Sequence, residues 1–583
     1  MRSKFFTIAA IIISLLANTA FTTFAQKPEY THATPMFQLT NVKAQPVKGG
    51  TIPIPMITWG GDVKAVYAQE YGLFKAEALD VSIFCENNFL KQCENVLAGK
   101  TPYLRGTMGM INSAAELFKR NNIELVVLYK YTWSTGGDAI VVRKGKTLKN
   151  IKVVALQQFG PHMDYAAKLF TDAGRNLKDI EFRYFQELTD EYEGAGTKIL
   201  DPKSAFLADP SIDATMVIIP DALDLTSGGT VGKGGAGTVK DATILVTTKT
   251  AGAIISDVIA VRKDWFDANR DHAQKVVHVL MRADEEVRDL VKNKASQQAK
   301  YRQLLSKAAE PLWGTSAAGD QIEALLGDCT FQGYNDNYAY FTGTGTTRNF
   351  ENLTTEIQTS FISIGLMTQR VALYQANWDY SQLAAGLKYA QAVSAPVVAA
   401  APRFDQQKVA AAVESKIAAE ASSWGSEGTL FEIEIQFDPN VDEFSEAKYG
   451  TKFQKALELV QSYPGALVTF EGHSNKYGKE SIQSDMDRGA PQTQINQRIQ
   501  VAKNLSLSRS NNGRDAFISF CKKHNFSIDP STIVAVGLGI SQQKFAPPIS
   551  KDQWLENFRV VFRITQVEAE ASEWEAPKSA SKK

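Results

Sequence analysis

Thr51-Ile-Pro-Ile-Pro-Met-Ile-Thr58 runs into Trp59-Gly60-Gly61-Asp62, and Val63 to Lys75 then leads to Leu79-Asp80-Val81-Ser82-Ile83-Phe84. The first block reads as a strand, and Asp62–Tyr71 has helical spacing. Leu79–Phe84 reads as a second strand and Asn87–Leu97 as a second helix. A strand, a Gly-rich turn, a helix and another strand form the unit from which parallel sheets are built.

The alternation continues outward. Ile123–Leu128 and Ala139–Val142 are apolar and β-branched, and Val153–Leu156, Glu181–Phe185 and Ala214–Ile219 follow as short strands. His162–Ala173 and Asp267–Val291 are helical in pattern. These segments predict an α/β fold with parallel sheets over residues 49–387, preceded by a loose polar lead-in over 26–48. The chain has 583 residues, enough for about three or four folding units. Apolar residues make up 44% and charged residues 22%, so large cores can be buried. Lys+Arg and Asp+Glu are equal at 63 each. That balance speaks against nucleic acid or an anionic membrane as partner.

Arg2 and Lys4 make a short basic start, Phe5 to Leu16 is almost wholly apolar, and Thr23-Phe24-Ala25 ends the segment with small residues where a signal peptidase reads. This layout predicts a secretory signal peptide over 1–25, the alternative being an uncleaved anchor. Its apolar core is too short to span a bilayer comfortably, and no later stretch is apolar enough to cross one. Without Arg2 and Lys4 the remaining chain is slightly negative. The expected compartment is the periplasm, which permits disulfides. Cys85 and Cys93 are close enough in sequence to bridge a strand end to the next helix, or to stand as two thiols. Cys329 and Cys521 fall in different expected domains and are read as free.

Three segments of the first module end a strand and turn with Gly, Ser or Thr. They are Thr58-Trp59-Gly60-Gly61-Asp62, Arg105-Gly106-Thr107-Met108-Gly109 and Ser134-Thr135-Gly136-Gly137-Asp138. Gln158-Phe159-Gly160-Pro161-His162 is a fourth, opening a helix. In open α/β sheets, ligands sit beyond the carboxyl ends of strands, and helix N-termini offer free donors there. Such loops suit a small anion or a polar, carbonyl-bearing solute, with Trp59 as an apolar wall. The run Gly232-Lys-Gly234-Gly-Ala-Gly237 satisfies a dinucleotide glycine pattern, but Thr238–Leu245 after it reads as strand rather than helix, so it is taken as a flexible hairpin tip.

Tyr71-Gly72-Leu73-Phe74-Lys75 with Leu79-Asp80-Val81 resembles the helix-end and second-strand signature of type 2 periplasmic solute-binding proteins, the nitrate, sulfonate and thiamine-precursor binders among them. Lys249-Thr250 through Ile255–Arg262 resembles that family's crossing back into the first lobe. The resemblance implies a two-lobed fold with a hinge: lobe one over 49–145 and 250–385, lobe two over 146–249. Ligand would lie between the lobes, against Trp59, Gly60, Thr107, Ser134, Thr135, Gly136, His162 and Asp221. Asp221 either meets an amine or caps a helix at Ala222, and His162 is a ligand contact or a helix-start residue.

Residues 388–428 are rich in Ala, Val, Ser and Gln and read as a linker. A second module starts at Thr429 with the alternating strand Phe431–Phe437. A helix over Ala447–Ser462, a strand over Ala466–Phe470, a long polar insertion at 479–500 and a further helix follow, with Phe558–Ile564 as the last strand. Gln436-Phe437-Asp438-Pro439-Asn440, Glu471-Gly472-His473-Ser474-Asn475 and Asn504-Leu505-Ser506-Leu507-Ser508-Arg509 succeed one another in the order of an OmpA-like peptidoglycan-binding domain. The resemblance covers 429–566 and implies an α+β domain that holds the diaminopimelate of the wall peptide. Arg509 would pair the ligand carboxylate, with Asn440, Asn475 and Arg559 as further contacts. Asn475 stands where the family has Asp, which weakens the ammonium contact by about 1–2 kcal/mol. Ala502 and Phe558 also depart from the pattern, and Asp485 or Asp487 in the insertion would replace the lost charge or lie in a solvated loop. The tail 567–583 is small and charged, and reads as disordered.

The function these readings imply is the solute-binding component of an ABC-type importer, bound to peptidoglycan. A solute sensor or an envelope scaffold is the alternative. No His pair four apart with a Glu and no Gly-x-Ser-x-Gly elbow occurs, so neither an enzyme nor a cofactor is expected. Enzymatic relatives that make a thiamine precursor leave catalysis as a minor alternative.

Overall fold

The computed structural model describes residues 28–189, 199–390, 429–436, 444, 446–478, 481–526 and 528–565. The expected signal peptide, the tail, nearly all of the linker and Asn440 lie outside them. No helix among the described residues is long and apolar enough to cross a membrane.

Lobe one opens with β1 (Ile52–Met56), β2 (Val81–Cys85), β3 (Tyr103–Thr107) and β4 (Leu125–Ser134). β1 and β2 are parallel, with Ile52 opposite Val81. Every residue of β4 is buried, as expected of a strand covered on both faces. The chain then enters a second sheet with β5 (Asp138–Val142), β6 (Val153–Gln157), β7 (Glu181–Phe185), β8 (Ala214–Ile218) and β9 (Thr243–Thr247), in the order β7-β6-β8-β5-β9. It returns through β10 (Ser256–Arg262), which lies between β3 and β4 and antiparallel to both. β11 (Cys329–Phe331) and β12 (Tyr374–Gln375) join β4. Side chains time the helix starts: Asn88 accepts from Lys91 N, and Asn349 from Asn352 N, each at 3.0 Å.

Both sheets are mixed rather than parallel, because β5 and β10 are entered by crossing from the other lobe. The crossings fall at 134–138 and 247–256 rather than at 145/146 and 249/250. β4 runs through a three-residue turn straight into β5, so Ala139–Val142, expected in lobe one, belongs to lobe two. The run at 232–237 is followed by turns and then β9, not by a helix.

The cysteine bridge is not formed. All four cysteines are free. Cys93 faces the core from the helix Phe89–Leu97 and is fully buried, whereas Cys85 Sγ lies 3.7 Å from Thr58 Oγ1 at the end of β2. Burial pushes the Cys93 thiol up, and the nearby Glu94 adds to this.

The C-terminal module is a four-stranded sheet in the order β13 (Thr429–Gln436), β16 (Arg559–Thr565), β14 (Leu467–His473), β15 (Ile533–Gly539). The helices Glu446–Ser462 and Gln492–Lys523 supply Phe453 and Phe517, which pack with Phe470 and Phe562 of the sheet. The segment 479–500, expected as a loop, instead carries the helix Ile482–Asp487 and the start of the long helix among its described residues.

This module is docked on the two lobes. Gly465 N donates to the Thr250 carbonyl at 3.1 Å, and Ala253 N to the Ser462 carbonyl at 3.3 Å, both on the second crossing. Tyr463 Oη donates to Asp172 of lobe two at 3.0 Å, and Thr347 N of lobe one donates to Gln461 Oε1 at 2.6 Å. A Cβ at Gly465 would lie 1.9 Å from the Lys249 carbonyl oxygen, so only glycine allows this approach. Gly465→Val should cost about 1–3 kcal/mol of docking, as overpacking does. Calorimetry should then show the C-terminal module melting apart from the lobes. A scan matching the parent's would contradict a tight dock.

Candidate functional site

Arg105 on β3 anchors the lobe junction. Its side chain is fully buried, and a buried guanidinium must be answered by carboxylates because it does not shed its proton. Nε and Nη2 donate to Asp62 Oδ1 and Oδ2 at 3.1 and 2.7 Å, and Nη1 donates to Asp257 Oδ1 at 3.1 Å. The Tyr131 ring stacks 4.5 Å from the guanidinium carbon. Burial alone would lower the proton affinity of Arg105, but Asp62 and Asp257 together raise it. Asp257 also accepts from Thr132 Oγ1 at 2.8 Å, and Thr132 accepts from Trp59 Nε1 at 3.0 Å.

A second network sits where β4 gives way to β5. Ser134 Oγ donates to Asp138 Oδ2 at 2.6 Å, and His162 Nε2 lies 2.8 Å from Asp138 Oδ1. Asp138 N donates to Thr248 Oγ1 at 3.1 Å. Ser134 and His162 both turn to the carboxylate rather than to each other, so no nucleophile–base pair exists here. The network ties both crossings to the helix His162–Asp172 of lobe two.

Asp164, on the first turn of that helix, faces lobe one. Its Oδ1 would lie 2.3 Å from a Cβ at Gly109, so the missing side chain lets the carboxyl rest on the first turn of the helix Met108–Arg120. Thr107 caps this helix, its Oγ1 accepting from Met110 N at 3.2 Å. Asp164 is 4% exposed, and its Oδ1 has no hydrogen-bond partner among the described residues. Burial, then the charges of Glu356 and Asp257, push its carboxyl up to about 7. Asp328 is likewise pushed up to about 7 by burial and by Asp138.

Of the eight residues expected to line a cleft, Ser134 and His162 meet directly through Asp138, Thr107 lies one residue pair from Arg105 opposite Asp257, and Trp59 joins through Thr132. Gly60 is covered by the Leu325 carbonyl, and Thr135 and Gly136 by Asp328, to whose carbonyl Thr135 N donates at 2.8 Å. Asp221 belongs to neither network. It is the third residue of the helix Ile219–Leu225 rather than its cap, and the amine it meets is that of Lys203, at 2.8 Å. The reading of the loops passed over Asp62, Arg105, Asp138, Asp164 and Asp257. Three of these stand inside the loops quoted above, and a charge within a Gly/Ser/Thr turn was the signal.

In the C-terminal module, Asn475, Arg509 and Arg559 converge on residues 557–559. Asn475 Oδ1 accepts from Tyr477 N at 2.9 Å and from Asn557 Nδ2 at 3.3 Å, while its Nδ2 donates to the Trp554 carbonyl at 2.8 Å. Arg509 is buried, its guanidinium 5.6 Å from the Phe558 ring centroid. Arg559 donates to the Gln542 carbonyl at 3.4 Å, and burial lowers its proton affinity. Asp485 is not in a solvated loop: it is 2% exposed and paired with Arg488 at 2.6 Å and Arg498 at 3.0 Å.

The strand orders and the paired crossings give the N-terminal part the two-lobed architecture of periplasmic binding proteins. No family model and no curated protein matches the chain. Among solved structures it is similar to the periplasmic aliphatic sulphonate binding protein SsuA from Escherichia coli, at 16% identity and TM-score 0.37, covering 56% of this chain and 90% of that one. It is similar to the alkanesulfonate-binding protein SsuA from Xanthomonas axonopodis pv. citri bound to MOPS, at 15% identity and TM-score 0.36, covering 56% and 99%. The periplasmic nitrate-binding protein NrtA from Synechocystis PCC 6803 is similar at 13% identity and TM-score 0.29, covering 46% and 67%.

The folded chain holds the Asp164 proton up to about pH 7, against 3.8 for an ordinary aspartate. The folded state therefore binds more protons than the unfolded one in between, and stability falls as pH rises from about 4 to about 7, then levels. Asp164→Asn cannot ionise and escapes this loss. In urea denaturation it should match the parent near pH 4 and exceed it by about 2–4 kcal/mol at pH 8. Equal stability at both pH values would show that Asp164 is solvated.

Proposed function

We propose that this chain is an exported periplasmic protein that takes a small solute between its two lobes and is held to peptidoglycan by its C-terminal module. In this reading it serves as the solute-binding component of an ABC-type importer. The observation that carries the reading is the junction itself. Both crossings, the capped helix of lobe one at Thr107 and the first turn of the lobe-two helix at His162 meet there. Hinge motion about residues 134–138 and 247–256 would part these groups and present them to a solute. Wall binding is supported by the order of the OmpA-like segments and by the grouping of Asn475, Arg509 and Arg559.

One observation favours the sensor reading. The C-terminal module grips Asp172 of lobe two, Thr347 of lobe one and the second crossing at once. Lobe motion would then alter the wall-binding module, which suits a reporter of solute as much as a carrier.

The full-length chain should be screened by thermal shift against a broad panel of small metabolites, and by co-sedimentation with purified sacculi. A ligand at about 100 times its Kd adds about 2.7 kcal/mol. The expected result is a ligand whose shift is lost in Ser134→Ala, and sacculus binding lost in Arg509→Leu. Absence of any shift across the panel overturns solute binding, and sedimentation of Arg509→Leu equal to the parent's overturns the wall site.

A further inference from the structure

The lobe junction is short of positive charge. Asp62, Asp138, Asp164, Asp257 and Asp328 stand around it. The charge of Asp257 bears on Asp164, and that of Asp138 on Asp257 and Asp328. Against them stands one guanidinium, Arg105, already committed to two carboxylates.

Two buried polar atoms on one helical turn are left unanswered. Asp164 Oδ1 has no partner in the protein, nor has His162 Nδ1, on residues 4% and 0% exposed. The carboxylate of Asp138 takes the Nε2–H of His162, which leaves Nδ1 of that tautomer as a lone pair. Both orphans are therefore acceptors, and both call for a donor. An anion is disfavoured at the same place, because the Asp164 carboxyl already occupies the first turn of the helix Met108–Arg120, where an anion would rest.

Building on the solute-binding function proposed above, we propose that the junction takes an alkylammonium solute, whose N–H donors answer Asp164 Oδ1 and His162 Nδ1. The chemistry is a charge-assisted hydrogen bond to a carboxylate in a dry, acidic site. The orphaned acceptors are then the signature of the ligand, and a glycine at position 109 is what brings the two lobes close enough to enclose it.

The test is titration calorimetry of the full chain with putrescine and ethylammonium, against ethanesulfonate, nitrate and phosphate. The amines should bind and the three anions should not. Asp164→Asn should weaken the amines by about tenfold or more, the value of one charged hydrogen bond. Its melting temperature at pH 8, at or above the parent's, shows that the fold survives. Amines that bind Asp164→Asn as tightly as the parent overturn the proposal. An anion that binds, or a neutral ligand from the wider metabolite screen, overturns the solute class and leaves solute binding intact. A wider screen without any ligand removes both.

Discussion

The buried guanidinium of Arg105 is the constraint on which the lobe junction depends. It is among the largest fully buried side chains, and its charge is permanent. Taking such a group out of water is tolerable only with full pairing, and loss of one partner from a buried pair typically costs about 3–5 kcal/mol. Asp62 and Asp257 supply that pairing from positions 43 and 152 residues away in sequence. Asp257 stands in β10, so the guanidinium also fixes where the second crossing enters lobe one. Thr132 and Trp59 are placed in turn, through the second oxygen of Asp257.

The charges around this anchor are not all treated alike, and the contrast is informative. Glu356 and Asp164 both lie at the contact between the lobes. Burial would raise each, yet Glu356 is held at about 2 because Arg348 and Lys168 reach it, at 3.1 and 3.0 Å. Asp164 has no such cation and is pushed up to about 7. The fold evidently can place a cation beside a junction carboxylate, and does so for Glu356. Leaving Asp164 unanswered carries a stability cost that packing does not explain, and costs of this kind concentrate at functional sites.

The order of elements was legible in the sequence because it is written in local periodicity. Glu181–Phe185 is a strand with the expected bounds, and the helix expected at His162–Ala173 ends one residue earlier. The Gly-rich turns were legible as places of close approach. What approaches them was not. Gly60 is needed because Leu325, from a helix far along the chain, lays its carbonyl on it, and Gly109 because Asp164 does the same from the other lobe. The charged members of the loops were missed for a related reason. Whether Arg105 or Asp138 faces water or a partner is decided by residues more than twenty positions away. The cysteine bridge failed on direction rather than distance in sequence, since Cys93 turns into the core of its helix's inner face.

The C-terminal module changes what a hinge can do in this chain. A module gripping one lobe would ride with it and leave the lobe angle free. Here Asp172 of lobe two is held by Lys455 at 3.1 Å and by Tyr463, while Thr347 of lobe one is held by Gln461 through both its amide and its hydroxyl. Gly465 and Ser462 are bonded to the crossing between those lobes. Any change in lobe angle must therefore stretch or break part of this dock. Linkage then works in both directions: a solute that favours one lobe angle shifts the dock, and a wall ligand that favours one dock shifts the lobe angle, by the same free energy.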